Sequence, residues 1–256
     1  MNVKFEIIKS ITNGSFGQIF LGKNKFTNEY IAIKRENKDK SSVKNEAKIY
    51  NYLNNDIFFP KLKDFIVDKD YNYLILELLN YNLSTLQGKI NKEQIKNIGI
   101  QMFNIIEFLH GKGIVHRDIK PNNFLLSSGK VKLIDFGFAK KIIDKKHIEF
   151  KKIDNIIGTP NYISLNVHNL IEPSRRDDIE SIIYILIYLV IDLPWRELSL
   201  IETKNLKEEL FHINMLPKLC KELLELCRNL QFSQDPPYLK IKQIIEFSKL
   251  TDLDSP

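Results

Sequence analysis

The feature that most constrains the fold of this chain is an ordered set of polar residues between positions 116 and 137. Positions 116–123 read His-Arg-Asp-Ile-Lys-Pro-Asn-Asn, and Asp-Phe-Gly follows at 135–137. Apolar residues at helical spacing precede the set from 92 to 110, and two short strand-like runs separated by Ser-Ser-Gly lie inside it. A helix therefore precedes these polar residues and a β-hairpin lies among them. The fold must combine helices with β-structure.

The residue types in this set suit the transfer of a phosphoryl group. Asp118 can accept a proton from a hydroxyl group, and Lys120 can place a positive charge near a phosphate. Asn123 and Asp135 offer the hard oxygen ligands that Mg²⁺ prefers. A single loop aspartate is more often a turn former, but the complete set resembles the signature of protein kinases. It predicts Asp118 and Lys120 as catalytic residues and Asn123 and Asp135 as metal ligands.

A glycine-containing turn lies near the start of the chain. Positions 12–19 read Thr-Asn-Gly-Ser-Phe-Gly-Gln-Ile between two predicted strands. Gly14 and Gly17 would let the backbone approach phosphate groups closely. Thr12 occupies the position of the first glycine in the Gly-x-Gly-x-x-Gly pattern, and its Cβ restricts the conformations of the turn. We therefore expect weakened or altered ATP affinity rather than lost binding.

A lysine and a glutamate complete the predicted phosphate site. Ile-Ala-Ile-Lys at 31–34 ends on Lys34, which follows the turn at the place expected for a phosphate-binding lysine. Glu46 lies on the next predicted helix and can pair with it. Either residue alone would be an ordinary surface charge, but their order with the other segments indicates a functional pair.

The secondary-structure pattern changes from β to helical along the chain. Strands are predicted at 5–11, 18–22, 30–34, 65–67 and 71–78, with one helix at 41–53, and the pattern from about 164 is mostly helical. The sequence therefore predicts an α+β, two-lobed protein-kinase-like fold. Its β-rich N-lobe would cover about 1–79 and its mainly helical C-lobe about 80–250, together forming a single catalytic domain over 1–256.

Four further segments are similar to the casein kinase 1 family. They are Gly-Thr-Pro-Asn-Tyr-Ile-Ser-Leu-Asn-Val-His at 158–168, Ser-Arg-Arg-Asp-Asp-Ile-Glu-Ser at 174–181, Leu-Pro-Trp at 193–195 and Asp-Ile-Lys-Pro at 118–121. Ser-Leu-Asn at 164–166 stands where most protein kinases have Ala-Pro-Glu and this family has Ser-Ile-Asn. The resemblance extends over about 5–248. It implies a Ser/Thr protein kinase that uses ATP and Mg²⁺ and favours acidic protein substrates.

The resemblance also implies which residues contact the nucleotide. They are Thr12, Gly14, Ser15, Gly17, Ile19, Ala32, Lys34, Glu46, Leu76, Glu77, Leu79, Leu125 and Ile134. Leu76 would be the gatekeeper, and Glu77 to Leu79 would form the hinge beside the adenine. Asp177 would begin the central C-lobe helix and hold the backbone of the catalytic loop.

The segment between the Asp-Phe-Gly motif and Thr159 has no site for an activating phosphate. From Gly137 to Thr159 the chain contains no other serine, threonine or tyrosine. Many kinases are switched on when a phosphorylated residue in this segment pairs with an arginine such as Arg117. We therefore expect activity without phosphorylation of the activation loop.

The basic cluster that casein kinase 1 enzymes use for phosphorylated substrates is only partly present. Arg117 and Lys140 match two of its members, but Asn161 stands in place of an arginine. Asparagine cannot give the charged, bidentate grip of arginine on a phosphate. Recognition of pre-phosphorylated substrates therefore stays open. Compensating lysines are available at positions 145, 146, 151 and 152.

Composition narrows the classes of protein that this chain can belong to. Its 256 residues carry a net charge of +6 without a long run of like charges, so no nucleic-acid-binding tail is expected. The longest apolar run, at 182–191, is too short to span a membrane and predicts a buried helix. Two cysteines, at 220 and 227, indicate a reduced intracellular protein, cytoplasmic or nuclear. We expect a monomeric, bare catalytic domain, since little sequence follows residue 248.

Two other functions are compatible with parts of the sequence. A pseudokinase would use the same fold as a binding scaffold; Thr12 favours it, but the presence of Lys34, Asp118, Asn123 and Asp135 opposes it. A small-molecule kinase of related fold is opposed by the complete segment at 158–168, where a protein substrate would dock.

Overall fold

The computed structural model describes residues 4–14, 17–54, 56–142, 147–210 and 215–254. The chain divides into two compact units: unit one comprises residues 1–81 and 125–137, and unit two comprises 82–124 and 138–256. A β-sheet dominates the N-terminal region and helices dominate the C-terminal region. The predicted α+β class, with a β-rich N-terminal region and a mainly helical C-terminal region, is therefore confirmed.

The secondary-structure elements follow the predicted order closely. The strands are β1 (Phe5–Gly14), β2 (Gly17–Asn24), β3 (Tyr30–Asn37), β4 (Leu62–Val67), β5 (Tyr71–Glu77), β6 (Tyr81–Asn82), β7 (Ile114–Val115), β8 (Phe124–Ser127), β9 (Lys130–Leu133) and β10 (Lys140–Lys141). The helices are α1 (Ser42–Leu53), α2 (Lys92–Gly111), α3 (Leu165–His168), α4 (Arg175–Val190), α5 (Leu200–Glu209), α6 (Lys218–Arg228) and α7 (Tyr238–Phe247).

Unit one is built on a five-stranded antiparallel sheet with the order β1-β2-β3-β5-β4. Alternate apolar side chains of its strands form a core of Phe5, Phe20, Ile31, Ile33 and Ile75. This alternation is the period of two that a strand with one buried face requires. Helix α1 packs on the sheet through its buried apolar face, and the β8–β9 hairpin belongs to the same unit.

Unit two is centred on α4, which is buried over most of its length. The predicted buried helix at 182–191 is thus confirmed as part of α4. Helix α2 packs against α4 at Gly99, where an added Cβ would lie 3.1 Å from a methyl carbon of Leu186. The glycine therefore permits the two helices to approach closely. Both cysteines are buried and unbonded to each other on α6.

Among the residues that the structure describes, there is no helix with the length and apolar character needed to cross a membrane.

Candidate active site

A buried cluster of one lysine and two carboxylates forms the centre of the candidate site in unit one. The ammonium of Lys34, on β3, lies 2.6 Å from Oε2 of Glu46, on α1, and 2.6 Å from Oδ1 of Asp135. The backbone N–H of Phe136 donates to the other carboxylate oxygen of Glu46 at 3.2 Å. Lys34 and Glu46 are 8% and 1% exposed. The structure thus brings together three of the predicted site residues.

The electrostatics of this cluster keep the lysine charged. Burial alone lowers the pKa of Lys34, but the carboxylates of Glu46 and Asp135 outweigh it and hold the pKa above its ordinary value. Burial raises the pKa of Glu46, and Lys34 opposes that shift. The result is a fixed cation beside a half-buried carboxylate, since the Asp135 side chain is 22% exposed. Such a cation is suited to bind phosphate oxygens.

The Asp-Phe-Gly segment is held by its phenylalanine. Asp135 has a φ of 66°, in the left-handed region that aspartate tolerates better than most residues. The ring of Phe136 is 1% exposed and makes edge contacts with Tyr50 at 5.0 Å and Phe59 at 5.6 Å between centroids. Burial of this ring fixes the backbone, and the backbone presents the Asp135 carboxylate to Lys34.

The strands on either side of the predicted glycine turn pair with each other in antiparallel register. Gly14 is the register partner of Gly17, and Thr12 is the partner of Ile19. Gly17 has a φ of 124°, and a Cβ at this position would lie 2.4 Å from the carbonyl oxygen of Arg35. Only glycine fits there. Ser15, also predicted to contact nucleotide, lies outside the described residues.

The apolar residues predicted to contact adenine all belong to unit one. On the sheet, Ala32 is the register partner of Leu76, and Ile19 is the partner of Lys34. Leu76 and Leu79 are buried, whereas Ile19, Ala32, Leu125 and Ile134 are half-buried.

The side chain of Glu77, the predicted hinge residue, is hydrogen-bonded within unit one. Its carboxylate accepts hydrogen bonds from Lys132 Nζ at 2.8 Å and from the backbone N–H of Lys61 at 3.0 Å.

In unit two, hydrogen-bond donors surround Asp118, which lies in the loop at 116–123. Its carboxylate accepts from Lys120 Nζ at 2.7 Å and from the hydroxyl of Thr159 at 2.7 Å. Asn123 Nδ2 donates to the carbonyl oxygen of Asp118 at 2.9 Å. The structure thus brings together Asp118, Lys120 and Asn123 as predicted. It adds Thr159, whose hydroxyl also accepts from Lys120 at 3.1 Å.

The backbone of this loop is held by Asp178, not by Asp177 as the sequence analysis expected. The Asp178 carboxylate accepts from the backbone N–H groups of His116 at 2.8 Å and Arg117 at 2.9 Å. Asp177 lies in the first turn of α4, which begins two residues earlier at Arg175, and its carboxylate accepts from the N–H of Ser174 at 2.7 Å. Adjacent helix residues point about 100° apart, so only one of the two aspartates can face the loop.

A buried histidine supports Asp178 from the other side. His110 Nε2 lies 2.9 Å from the Asp178 carboxylate, and its Nδ1 lies 2.5 Å from the hydroxyl of Tyr238. Burial alone raises the pKa of Asp178, but its hydrogen bonds and the histidines outweigh burial and hold the pKa below its ordinary value. Asp178 is therefore an ionised acceptor for the backbone of the loop.

The segment at 158–163 is fixed by long-range hydrogen bonds. Lys207, buried on α5, donates to the carbonyl oxygens of Pro160 at 3.2 Å and Ile163 at 2.9 Å. Trp195 Nε1 donates to the carbonyl oxygen of Asn161 at 2.8 Å. Trp195 of the Leu-Pro-Trp motif thus helps to fix the segment at 158–163, which is part of the predicted substrate-docking segment.

The Ser-Leu-Asn segment is attached to α4. Ser164 Oγ donates to Asp177 at 2.6 Å, and Asn166 Nδ2 donates to the same carboxylate oxygen at 3.0 Å. The N–H of Leu165 donates to Glu180 at 3.2 Å. Asp177 therefore holds the Ser-Leu-Asn segment, whereas Asp178 holds the backbone of the loop at 116–123.

The two members of the predicted basic cluster meet a carboxylate that the sequence analysis did not identify. Arg117 Nη1 lies 2.9 Å from Oε1 of Glu172, and Lys140 Nζ lies 2.7 Å from the same atom. Lys151 and Lys152 are exposed. The lysines at 145 and 146 lie outside the described residues.

The donor set suits a nucleotide-bound Mg²⁺ better than a metal held by protein alone. Within the described ranges, no group of three or more histidine, cysteine, aspartate or glutamate side chains is arranged to hold a metal ion. Asp135 and Asn123 are hard oxygen donors, and Mg²⁺ is usually held by one or two such side chains together with phosphate oxygens and water. The residues present therefore fit that ion.

A fixed lysine cation beside a carboxylate in unit one, and a loop aspartate surrounded by donors in unit two, are each typical of domains that transfer phosphoryl groups. The family model described as Protein kinase domain matches residues 5–240. The chain therefore belongs to the protein kinase family. Domains of this family in general use ATP and Mg²⁺ and act on protein substrates.

Proposed function

We propose that the chain is a catalytically active Ser/Thr protein kinase, similar to casein kinase 1, in which residues 1–256 act as one catalytic domain. The observation that carries this proposal is the contact of the Lys34 ammonium with both Glu46 and Asp135 at 2.6 Å. Kinase catalysis requires this lysine–glutamate pair and the aspartate of the Asp-Phe-Gly motif to be in place together. A chain that had become only a binding scaffold would have no need to keep three charged groups together in a buried cluster.

In unit one, Lys34 would bind the α- and β-phosphate oxygens of ATP, and Glu46 would hold its ammonium in place. Asp135 would be a ligand of Mg²⁺, and Asn123 of unit two is proposed as another. When bound, Mg²⁺ neutralises the charge that develops on the phosphate oxygens. The backbone of the glycine turn would lie close to the phosphates, and Gly17 allows the strand pairing that forms this turn.

In unit two, Asp118 would accept the proton of the substrate hydroxyl as that oxygen attacks the γ-phosphorus. Lys120 would stabilise the negative charge of the transferred group. Their 2.7 Å contact holds the Asp118 carboxylate in one orientation. The Thr159 hydroxyl, which donates to the second carboxylate oxygen, links this orientation to the docking segment at 158–163.

The casein kinase 1 likeness is supported by how the family-like segments are used. Ser164 and Asn166 both donate to Asp177, so the Ser-Leu-Asn segment has a defined structural role on α4. Serine or threonine as the acceptor, acidic substrates, a monomeric state and a cytoplasmic or nuclear location are part of the same proposal. Activity without phosphorylation of the loop between 137 and 159 belongs to it as well.

The test is the transfer of labelled γ-phosphate from Mg-ATP to casein and to three acidic peptides. The peptides differ only in the acceptor residue, which is serine, threonine or tyrosine. Wild-type protein, untreated by any other kinase, should incorporate phosphate on serine and threonine. Asp118→Asn and Asp135→Asn should each abolish incorporation while the protein stays folded. An untreated wild type that binds Mg-ATP and transfers no phosphate would instead support the pseudokinase function.

A further inference from the structure

One buried carboxylate of unit two has no role in the catalytic scheme above. The Oε1 atom of Glu172 accepts from Arg117 Nη1 at 2.9 Å and from Lys140 Nζ at 2.7 Å. The Glu172 side chain is 3% exposed, against 15% for Arg117 and 37% for Lys140. The carboxylate thus lies on the inner side of two cations that come from different parts of the chain.

Arg117 connects the catalytic loop to the segment that follows Asp-Phe-Gly. Its Nε donates to the carbonyl oxygen of Phe138 at 2.7 Å, and its backbone N–H donates to Asp178 at 2.9 Å. Its φ is 69°, in the left-handed region that a non-glycine residue occupies only when its surroundings enforce it. The position of this side chain therefore influences the backbone of its neighbour Asp118.

The pair of cations needs an anion to be stable in this position. Burial alone lowers the pKa of Arg117, and Glu172 and Asp178 oppose the shift. In kinases controlled by phosphorylation, a phosphate with a charge of about −2 supplies such an anion from the activation loop. Here the loop between 137 and 159 has no residue that can be phosphorylated, and a carboxylate is already in contact with both cations.

The backbone also builds Glu172 into the fold. The N–H of Glu172 donates to the carbonyl oxygen of Lys151 at 3.0 Å, and Ile171 forms an antiparallel bridge with Lys152. The backbone that bears the carboxylate is therefore paired with residues 151–152 of the segment between 137 and 159. This pairing fixes the position of Glu172.

We propose that Glu172 is a built-in counter-anion that positions Arg117 and occupies the place where Arg117 and Lys140 would otherwise bind a phosphate. This inference rests on the proposed kinase function. Because the Glu172 carboxylate already neutralises part of the positive charge of Arg117 and Lys140, these two residues should bind a phosphate group on the substrate only weakly. Glu172 is thus a positioning residue for the catalytic loop and a determinant of specificity against pre-phosphorylated substrates.

The test compares Glu172→Gln with wild type and with Glu149→Gln, which removes a charge from an exposed position in the segment between 137 and 159. We expect Glu172→Gln to lower kcat by about tenfold or more, with the KM for ATP within about twofold, because the catalytic loop shifts and the phosphate site does not. Sulfate, compared with chloride at equal ionic strength, should restore part of this loss in Glu172→Gln alone. The variant should also gain preference for a pre-phosphorylated peptide over its unmodified form.

A purely structural role would lower stability and activity without any response to sulfate, and this result would overturn the proposal. Unchanged kcat in a folded Glu172→Gln protein would overturn it as well. Glu172→Asp, which keeps the charge, should remain closer to wild type than Glu172→Gln. If the wild type transfers no phosphate at all, the kinase proposal fails, but a sulfate-induced rise in Tm confined to Glu172→Gln would still support the anion site.

Discussion

Glu46 Oε2 receives a hydrogen bond of 2.6 Å from Lys34 in a setting where both side chains are almost wholly buried. The contact joins helix α1 to strand β3, so the orientation of the helix and the position of the phosphate-binding cation depend on each other. Breaking a buried pair from one side is costly, since the remaining charge loses its compensation. Asp135 moderates that cost here because it stays in contact with Lys34.

The first prediction follows from this pair. Glu46→Gln keeps the shape of the side chain and removes its charge, so Lys34 should turn toward Asp135 and away from the phosphates. We expect kcat/KM to fall by about 100-fold or more, a loss of roughly 3 kcal/mol of transition-state stabilisation. The measurement is steady-state transfer of phosphate to casein at several ATP concentrations.

The matched control for that experiment is Glu29→Gln. Glu29 pairs with Lys63 at 2.8 Å on the surface of the same unit, where the Glu29 side chain is exposed and that of Lys63 is half-buried. A surface pair of this kind contributes at most about 1 kcal/mol. Glu29→Gln should therefore keep wild-type kinetics, and equal losses in both variants would contradict the assigned role of Glu46.

The second prediction separates the two adjacent aspartates of α4. Asp178→Asn replaces one acceptor oxygen by a donor group that faces a backbone N–H, which costs about 1–3 kcal/mol and displaces the catalytic loop. We expect kcat to fall by about tenfold or more. Asp177→Asn should instead weaken the docking segment through Ser164 and Asn166, which raises the KM for the protein substrate and leaves kcat closer to wild type. Identical kinetic changes in the two variants would refute this division of roles.

The third prediction concerns acid stability. Burial, together with the nearby Lys207 and Lys204 ammonium groups, lowers the pKa of His168 to about 3. In the unfolded chain a histidine titrates at about 6.5, so between these values only the unfolded state takes up the proton. The free energy of unfolding should therefore decrease as the pH falls below about 6.5, by about 1 kcal/mol per pH unit from this residue.

Urea unfolding of wild type and His168→Gln at pH 7.5, 6.5 and 5.5 measures this contribution. Glutamine can still accept from Lys207 but does not titrate, so the variant should lose less stability on acidification. The difference in the free energy of unfolding between the two proteins at pH 7.5, where both side chains are neutral, is the reference for the differences at lower pH. A difference between the two proteins that stays constant with pH would show that His168 titrates normally in the folded state.

The parts of the site that could be predicted from sequence lie in short segments with fixed spacing. Asp118, Lys120 and Asn123 fall within six positions, and the loop that contains them folds as a unit. The strands and helices of the N-terminal region were predicted because their apolar residues alternate or recur at helical spacing. The predicted strand at 30–34 was confirmed and extends to Asn37, because β3 stays paired with β5 along its length.

The parts that could not be predicted depend on contacts between distant segments. Glu172 reaches Arg117 across 55 positions, and Lys207 reaches Ile163 across 44. Neither residue lies in a motif, since a single buried charge has no characteristic spacing. The assignment of the loop-holding role to Asp177 was wrong by one position, because neighbouring residues on a helix face different directions and the sequence does not show which one faces the loop.

The last prediction concerns the nucleotide turn, where the sequence departs from the usual glycine pattern. Thr12 lies on β1 opposite Ile19 and is exposed, so its Cβ limits the hairpin without removing a ligand. Thr12→Gly should lower the KM for ATP about two- to fivefold, equivalent to roughly 0.4–1 kcal/mol, with kcat nearly unchanged. Thr12→Val is the matched control: it keeps the branched shape, loses the hydroxyl and should behave like wild type. If Thr12→Val changed the KM as much as Thr12→Gly, the hydroxyl group, and not the restricted backbone, would be the feature that acts on the nucleotide.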